Sequence, residues 1–451
     1  MPKRHGFSCD SAELKSLAHA VLERARKAGA SGCECDVSEG YGLSVTVRKG
    51  RPDTVEHNRD RSLGVTVYLG ERPRARRGHA STSDLSRAAL EQTVDAALAI
   101  ARHTAEDDCA GLPDADLLAR EVPDLDLYHP WELSTEDAVE LAKRCEAAAF
   151  AVSKKIRNSE GATVSAQQTQ FVLGNSLGFS GGYAGSRHWL SCAVIAEDRG
   201  LMQRDDWYSA SRVPSQLADP KVLGRYAGQR TAARLGARKI ATRQAPVLFE
   251  APQAAMLLGS LVSAASGGNL YRKATFLLDS LGKQVFAPGV TLEERPLEPR
   301  GLASTPFDEE GVATRARTVV RNGVLEGYFL GCYSARKLGL QSTGSAGGNH
   351  NLVLEANGPD FRGMLKRLHR GLLVTELLGH GVNLVTGDYS RGAAGYWVEN
   401  GEIAHPVEEV TIAGNLKDMF RGIDAVGSDT VVRGSRRSGS ILVREMTIAG
   451  D

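Results

Sequence analysis

The 451-residue chain holds 11 His and 7 Cys, enough nitrogen and sulfur donors for a metal site if the fold gathers them. The cysteines are scattered at Cys9, Cys33, Cys35, Cys109, Cys145, Cys192 and Cys332, and no C-x-x-C occurs. Cys33 and Cys35 share one face of an extended segment, but no further pair of ligands stands beside them. They read as free thiols, which fits a reducing cytoplasm. Gly174-Asn175-Ser176-Leu177-Gly178 matches the G-x-S-x-G nucleophile elbow, which needs a helix after the serine. Here Phe179–Gly182 is extended and glycine-rich, so a hairpin turn is expected. Ser280–Lys283 matches S-x-x-K without the accompanying S-D-N and K-T-G elements. Glu376 and His380 would share a helical face, but Leu372–Leu378 reads as a strand. Asp124, Asp126 and His129 lie in a Pro-flanked linker. No Walker A string, Rossmann fingerprint or H-E-x-x-H is present. Residue chemistry alone assembles no active site.

These residues must be positioned by an α+β fold. With 42% hydrophobic and 24% charged residues the chain can bury a core, and no run is long enough for a membrane span. The net charge of +1, from 55 basic and 54 acidic residues, disfavours a nucleic-acid partner. Two basic clusters stand out, Arg72–Arg77 and Arg433–Arg437 with Arg444. Neither has interleaved aromatics, so both read as solvated hairpin tips or partner-facing loops. Met1–Asp10 has basic residues but no apolar run behind them, so it is not read as a secretory signal.

Asp10 and Glu13 form a capping box for a first helix with Leu14, Leu17, Ala18, Val21, Leu22 and Ala25 as its apolar stripe, ended by Gly29. Period-2 runs at Leu43–Val47 and Leu63–Leu69 predict a curled antiparallel sheet. Ser83 is expected to open a second helix and Ser134 a third, with a connector over 113–130. Strands are expected at Gln167–Leu173, Phe179–Tyr183, His188–Glu197 and Leu201–Ser211, then a helix from Asp219. The second half reads as β-rich. It begins with strand Pro246–Glu250 and a helix with Pro252 at its first position, apolar nearly all round and stopped by Gly267-Gly268. The expected segments are an N-terminal α/β domain (1–112), a central strand-rich segment with flanking helices (113–240) and a β-rich C-terminal domain (241–451).

Several long strings resemble one family: Leu63–Tyr68, Ala80–Ser86, Ser266–Lys273, Phe276–Gln284, Ser304–Gly311, Gly387–Ile403 and Thr411–Leu416. Together they are similar to the TldD/PmbA family, in its PmbA (TldE) branch, over almost the whole chain. The resemblance implies a bacterial cytoplasmic protein that pairs with a TldD-type chain in a zinc metallopeptidase. That enzyme acts on peptides or unfolded segments, including peptide maturation. The family also carries a label as modulator of DNA gyrase, read here as indirect. In the TldD branch a buried helix bears His-Glu-x-x-x-His and a C-terminal Cys completes the zinc site. The matching positions here are Gly259, Ser260 and Ala264, and the C-terminal loop Thr430–Ser440 holds no Cys. The resemblance therefore implies no catalytic residue and no metal in this chain, with zinc in the TldD-type partner.

The Gly-rich segments Ser342–Asn351 and Gly387–Gly395 are candidates to line a substrate path by strand addition, with Gly347, Gly348, Asn349, Gly387 and Asp388 foremost. They also read as plain inter-strand turns. Two other functions stay open at this level. One is a homodimeric module that binds peptides or a regulatory protein. The other is an autonomous hydrolase with a metal on scattered His such as His350 and His380.

Overall fold

The computed structural model describes residues 6–450. Met1–His5, half of the stretch read as lacking a leader, lie outside the described residues. Helix α1 (Ser11–Lys27) begins with the expected capping box, Asp10 accepting from the Glu13 amide and Glu13 from the Asp10 amide. Gly29 follows it at φ +93°, the left-handed conformation a helix terminator needs. Strands β1 (Gly32–Arg48), β2 (Arg51–Leu69) and β3 (Arg76–Thr82) lead to α2 (Arg87–His103). Ser86, not Ser83, caps α2. The reason is local: the Thr82 and Asp84 side chains accept from the amides of Asp84 and Ser86, so the chain spends these residues in side-chain-closed turns.

Helix α3 (Thr135–Phe150) starts at Ser134 as expected. Then come β4 (Ile156–Asn175), β5 (Ser180–Asp198), β6 (Leu201–Ser211) and α4 (Pro220–Ala233). The runs expected separately at Phe179–Tyr183 and His188–Glu197 fuse into one strand. Glycines make this continuity feasible: a β-carbon on Gly182 would sit 2.2 Å from the Phe171 carbonyl oxygen. The six strands form one antiparallel sheet in the order β3-β2-β1-β4-β5-β6. The four helices cover it in two pairs. Under α1 and α2 lie Val37, Val65 and Val67, while Val45, Val164 and Leu190 pack under α3 and α4. Gly224 lets α4 touch α3, since a β-carbon there would meet the Cys145 carbonyl oxygen at 1.9 Å.

The second half runs β7 (Arg243–Phe249), α5 (Ala251–Ala264), α6 (Gly267–Tyr271), β8 (Leu292–Glu294), β9 (Arg317–Arg321), β10 (Val324–Leu325), α7 (Cys332–Lys337), β11 (Leu352–Leu354) and α8 (Phe361–Leu368). It closes with β12 (Gly371–Leu378), β13 (Asp388–Glu399), β14 (Glu402–Asn415), α9 (Leu416–Arg421), β15 (Ile423–Val426), β16 (Val431–Arg433), β17 (Arg436–Ser438) and β18 (Ile441–Ala449). Two sheets form, ordered β10-β9-β8-β11-β17-β16 and β14-β13-β12-β7-β18-β15. Phe249, Leu258, Leu261, Phe286 and Phe420 lie in the core they share. The α+β class stands, with the curled N-terminal sheet and the β-rich second half. Some local expectations need correction. Pro252 is the second residue of α5, after Ala251. Gly267 and Gly268 do not merely stop a helix but begin the short α6. No helix among the described residues is long and apolar enough to cross a membrane.

Candidate functional site

Helix α5 is buried along Ala254, Leu257, Leu258 and Leu261, which are apolar and point into the core. It is not buried all round. Met256 is 45% exposed, Ser263 is exposed, and Gly259 and Ser260 are half-buried. At 3.6 residues per turn these positions form one open stripe. Two of the three implied motif positions therefore sit on the open face, whereas Ala264 turns into the core with no exposed surface.

The C-terminal loop does cover this helix. Strands β16 and β17 pack on α5, and the Arg436 guanidinium lies 3.0 Å from where a Gly259 β-carbon would be. Catalytic zinc takes three N, S or O ligands and an open water position. Gly259 and Ala264 supply none, the neutral Ser260 hydroxyl alone cannot make a three-ligand set, and the Arg436 cation at the helix face repels a dication. The residues at Gly259, Ser260 and Ala264 do not fit zinc.

Nor is the Arg433–Arg437 cluster a solvated tip. Arg433 stacks over Trp207 and Tyr208, with its guanidinium carbon 4.5 and 4.0 Å from the ring centres. Arg437 pairs with Glu298 at 2.5 Å. The aromatic platform exists after all, but it comes from β6, more than two hundred residues earlier. In the other cluster Arg72 pairs with Asp114 and Arg76 with Glu106, across to the segment after α2.

A cleft of about 1320 Å³ opens between the N-terminal sheet and the second half. Alternation along β1 builds one wall. Cys33, Cys35 and Val37 face the helices, while Glu34, Asp36 and Ser38 face the cleft. Asp308, Glu309, Glu310 and Gly347 line the opposite wall. Asp308 joins two loops by accepting from the amides of Glu310, Val312 and Ala346 at 2.9, 3.0 and 2.9 Å. Burial first, then the Glu310 charge, raises Glu34 to about 7. Burial likewise raises Asp308 to about 7. The alternating Cys-Glu-Cys-Asp run of β1 is the sequence signal for this wall. Sequence reasoning drew on its cysteines and missed the acids between them.

A folded-state pKa above the unfolded value means the native chain holds the proton more tightly. The stability Glu34 contributes is then complete below its ordinary value near 4.5 and lost as pH rises to about 7. The expected outcome for Glu34→Gln is a stability gain over wild type that grows between pH 4.5 and 7.5, on the order of 2 kcal/mol after solvent screening. Urea midpoints at both pH values check it, and a pH-independent difference refutes it.

The structure separates the five substrate-path candidates. Gly347 lines the cleft at a left-handed φ of +89°, and a β-carbon there would lie 2.5 Å from the Glu309 carboxylate. The left-handed conformation favours glycine, whereas the exposed Glu309 side chain could swing aside. Gly348 follows at φ +120°, and Asn349 hydrogen-bonds Ser435 in the loop over α5. This segment thus runs from the cleft to the β16–β17 loop that covers the helix bearing Gly259. Gly387 and Asp388 do not join it. They form the turn into β13, where Asp388 accepts from Thr386 and Asn415.

Remaining candidates have structural partners. Ser176 sits in the β4–β5 hairpin, its hydroxyl accepting from the Cys33 amide at 3.0 Å. Ser280 donates to the Leu278 carbonyl in a turn. Glu376 lies in β12 and pairs with Arg234 at 2.5 Å. Asp126 binds Arg300 and His129, tying the 113–130 connector down. His350 is buried, its amide donating to Glu294, whereas His380 is exposed at the end of β12. Among the described residues the one compact ligand cluster is Asp107, Asp108 and Cys109, and Lys337 already fills it, 3.0 and 2.8 Å from the two carboxylates. All seven cysteines are free thiols.

Three family models match the chain: PmbA/TldA metallopeptidase domain 1 over residues 33–101, the central domain over 128–235 and the C-terminal domain over 242–450. Metalloprotease PmbA of Escherichia coli O157:H7 is 50% identical over 441 residues, 97% of each chain. A solved structure of a candidate modulator of DNA gyrase from Bacteroides thetaiotaomicron superposes with a TM-score of 0.91 at 26% identity, covering 98% of this chain and 100% of that one. TldE from Thermococcus kodakarensis shares the fold, with a TM-score of 0.84 at 20% identity over 96% of this chain and 100% of that one. With matches that run from the N-terminal sheet to the last strand, the chain belongs to the PmbA/TldD metallopeptidase family.

Proposed function

We propose that this chain is the metal-free, TldE-type subunit of a two-chain zinc metallopeptidase that cleaves peptides or unfolded segments in the cytoplasm, peptide maturation included. A TldD-type partner supplies zinc and the activated water. This chain closes the chamber and lines the peptide's path. One observation carries the reading: α5 bears Gly259, Ser260 and Ala264 where the resemblance puts His, Glu and His, and Arg436 lies against Gly259. The cleft and the Gly347–Asn349 segment running from it toward that helix support a role in handling peptide. Family membership and the fold shared with TldE support the pairing.

Co-expression with a TldD-type chain tests the pairing. The two chains are expected to co-purify, and elemental analysis should find zinc in stoichiometric amount only when the partner is present. A homodimer that ignores the partner supports a stand-alone binding module instead. Stoichiometric zinc in this chain alone supports an autonomous hydrolase.

A further inference from the structure

The arginines around α5 differ in what neutralises them. Arg230 pairs with Glu250 and Asp205, Arg234 with Glu376, Arg317 with Glu294 and Arg437 with Glu298. Arg436 has no hydrogen-bond or carboxylate partner among the described residues, and its Nε is fully buried and unsatisfied. Among the described residues Arg433 donates only to its neighbour Val432 at 3.4 Å, and its Nε is also buried and unsatisfied. Two carboxylates act on Arg433 from a distance, and both are already held, Glu250 by Arg230 and Asp206 by Arg204. Burial lowers the affinity of both guanidiniums for their protons, as expected of cations lacking counter-charge.

A partly desolvated guanidinium without an anion is costly, and its planar fork matches a carboxylate's two oxygens. Apolar surface adjoins the arginines. Met256, one turn before Gly259 on the open stripe of α5, is 45% exposed, and α5 packs on β16. Strand β16 is the free edge of its sheet, where an extended chain can add.

Arg433 and Arg436 are cross-strand partners on the β16–β17 ribbon, and from this arrangement we infer that they form a carboxylate site beside the open face of α5 that receives the free C-terminal end of a peptide with an apolar last residue. The inference rests on the reading that this chain lines a peptide's path. It places a charge-recognition subsite where the resemblance would put a metal.

The test uses the full chain without its partner, so its failure leaves the pairing untouched, and failed co-purification leaves this result untouched. Calorimetric titration compares N-acetyl-Ala-Ala-Leu as free acid, the same peptide as C-terminal amide, and inorganic phosphate. The free acid is expected to bind about 10- to 100-fold more tightly than the amide, the span of a charge-assisted hydrogen bond. Phosphate is expected to compete only weakly. Arg436→Gln is expected to erase the preference, and Arg436→Lys, which keeps the charge but not the fork, to retain part of it. Circular-dichroism melts establish that both variants fold. Equal binding of acid and amide, a preference that survives Arg436→Gln, or phosphate binding as tight as the peptide overturns the proposal.

Discussion

Replacing Arg230 by Gln will lower the unfolding free energy by about 3–5 kcal/mol, the range for breaking a buried ion pair from one side. Arg230 leaves α4 and reaches the two carboxylate oxygens of Glu250 at 2.6 and 3.1 Å. It also lies 3.3 Å from Asp205 and stacks over Trp207 at 4.9 Å. The side chains of Arg230, Glu250 and Asp205 are only 11%, 13% and 10% exposed. A surface pair of the same geometry would be worth under about 1 kcal/mol, so burial decides the size of the effect. The variant leaves two carboxylates in a poorly solvated site with one fewer cation. Glu250 also stands at the N-cap of α5 without capping it, because its side chain is turned to Arg230. Losing that hold loosens the start of the helix that carries Gly259.

The pH dependence has a definite sign. Burial already pushes Glu250 up while Arg230 pulls it down, so removing Arg230 raises it further. A raised carboxylate contributes stability below its unfolded value that vanishes as pH climbs through the folded one. The penalty of Arg230→Gln will therefore be larger at pH 8 than at pH 5. Urea denaturation at the two pH values checks both statements. A loss below 1 kcal/mol, or one that does not change with pH, contradicts the account.

The second large effect is catalytic. An unstructured peptide incubated with this chain alone will be cleaved no faster than background, and addition of a TldD-type chain will raise the rate at least ~10³-fold. Peptide-bond hydrolysis near neutral pH needs a nucleophile better than bulk water. Bound zinc supplies it by dropping the pKa of its water from about 15.7 to about 7. Gly259, Ser260 and Ala264 offer no ligand set for such an ion, and Arg436 stands against the same helix face. Mass spectrometry of the fragments gives the rates. Zinc-dependent cleavage by this chain alone, or full activity of the partner without it, would falsify the division of labour.

Much of the local structure is legible in the sequence. The Asp10–Glu13 box, the Ser134 cap and the alternating run at Leu43–Val47 follow from side-chain hydrogen bonding and period-2 patterning, both short-range effects. The misplaced start of α2 shows the limit of that reasoning. Ser83 and Ser86 are equally good caps in isolation, and the Thr82 and Asp84 turns choose between them.

The cleft and the arginine clusters are not legible in the same way. Glu34 and Asp308 stand far apart in sequence and line one cleft only because the N-terminal sheet packs against the second half. Arg433 reads as part of a solvated charge run because its platform, Trp207 and Tyr208, belongs to another sheet. Gly347 and Gly387 look alike as glycine-rich turns, and packing sends one to the cleft wall and the other to a strand entry.

The amino-acid sequence by itself determined the family, the α+β class and the residues at the three motif positions, because these depend on residue identity and short-range pattern alone. Tertiary structure alone decided that Ala264 faces the core while Gly259 faces outward, that Arg436 lies over that glycine without a counter-ion among the described residues, and that acids from both halves share one cleft. The physical reason is that burial, and with it charge compensation and proton affinity, is set by which distant segments pack together.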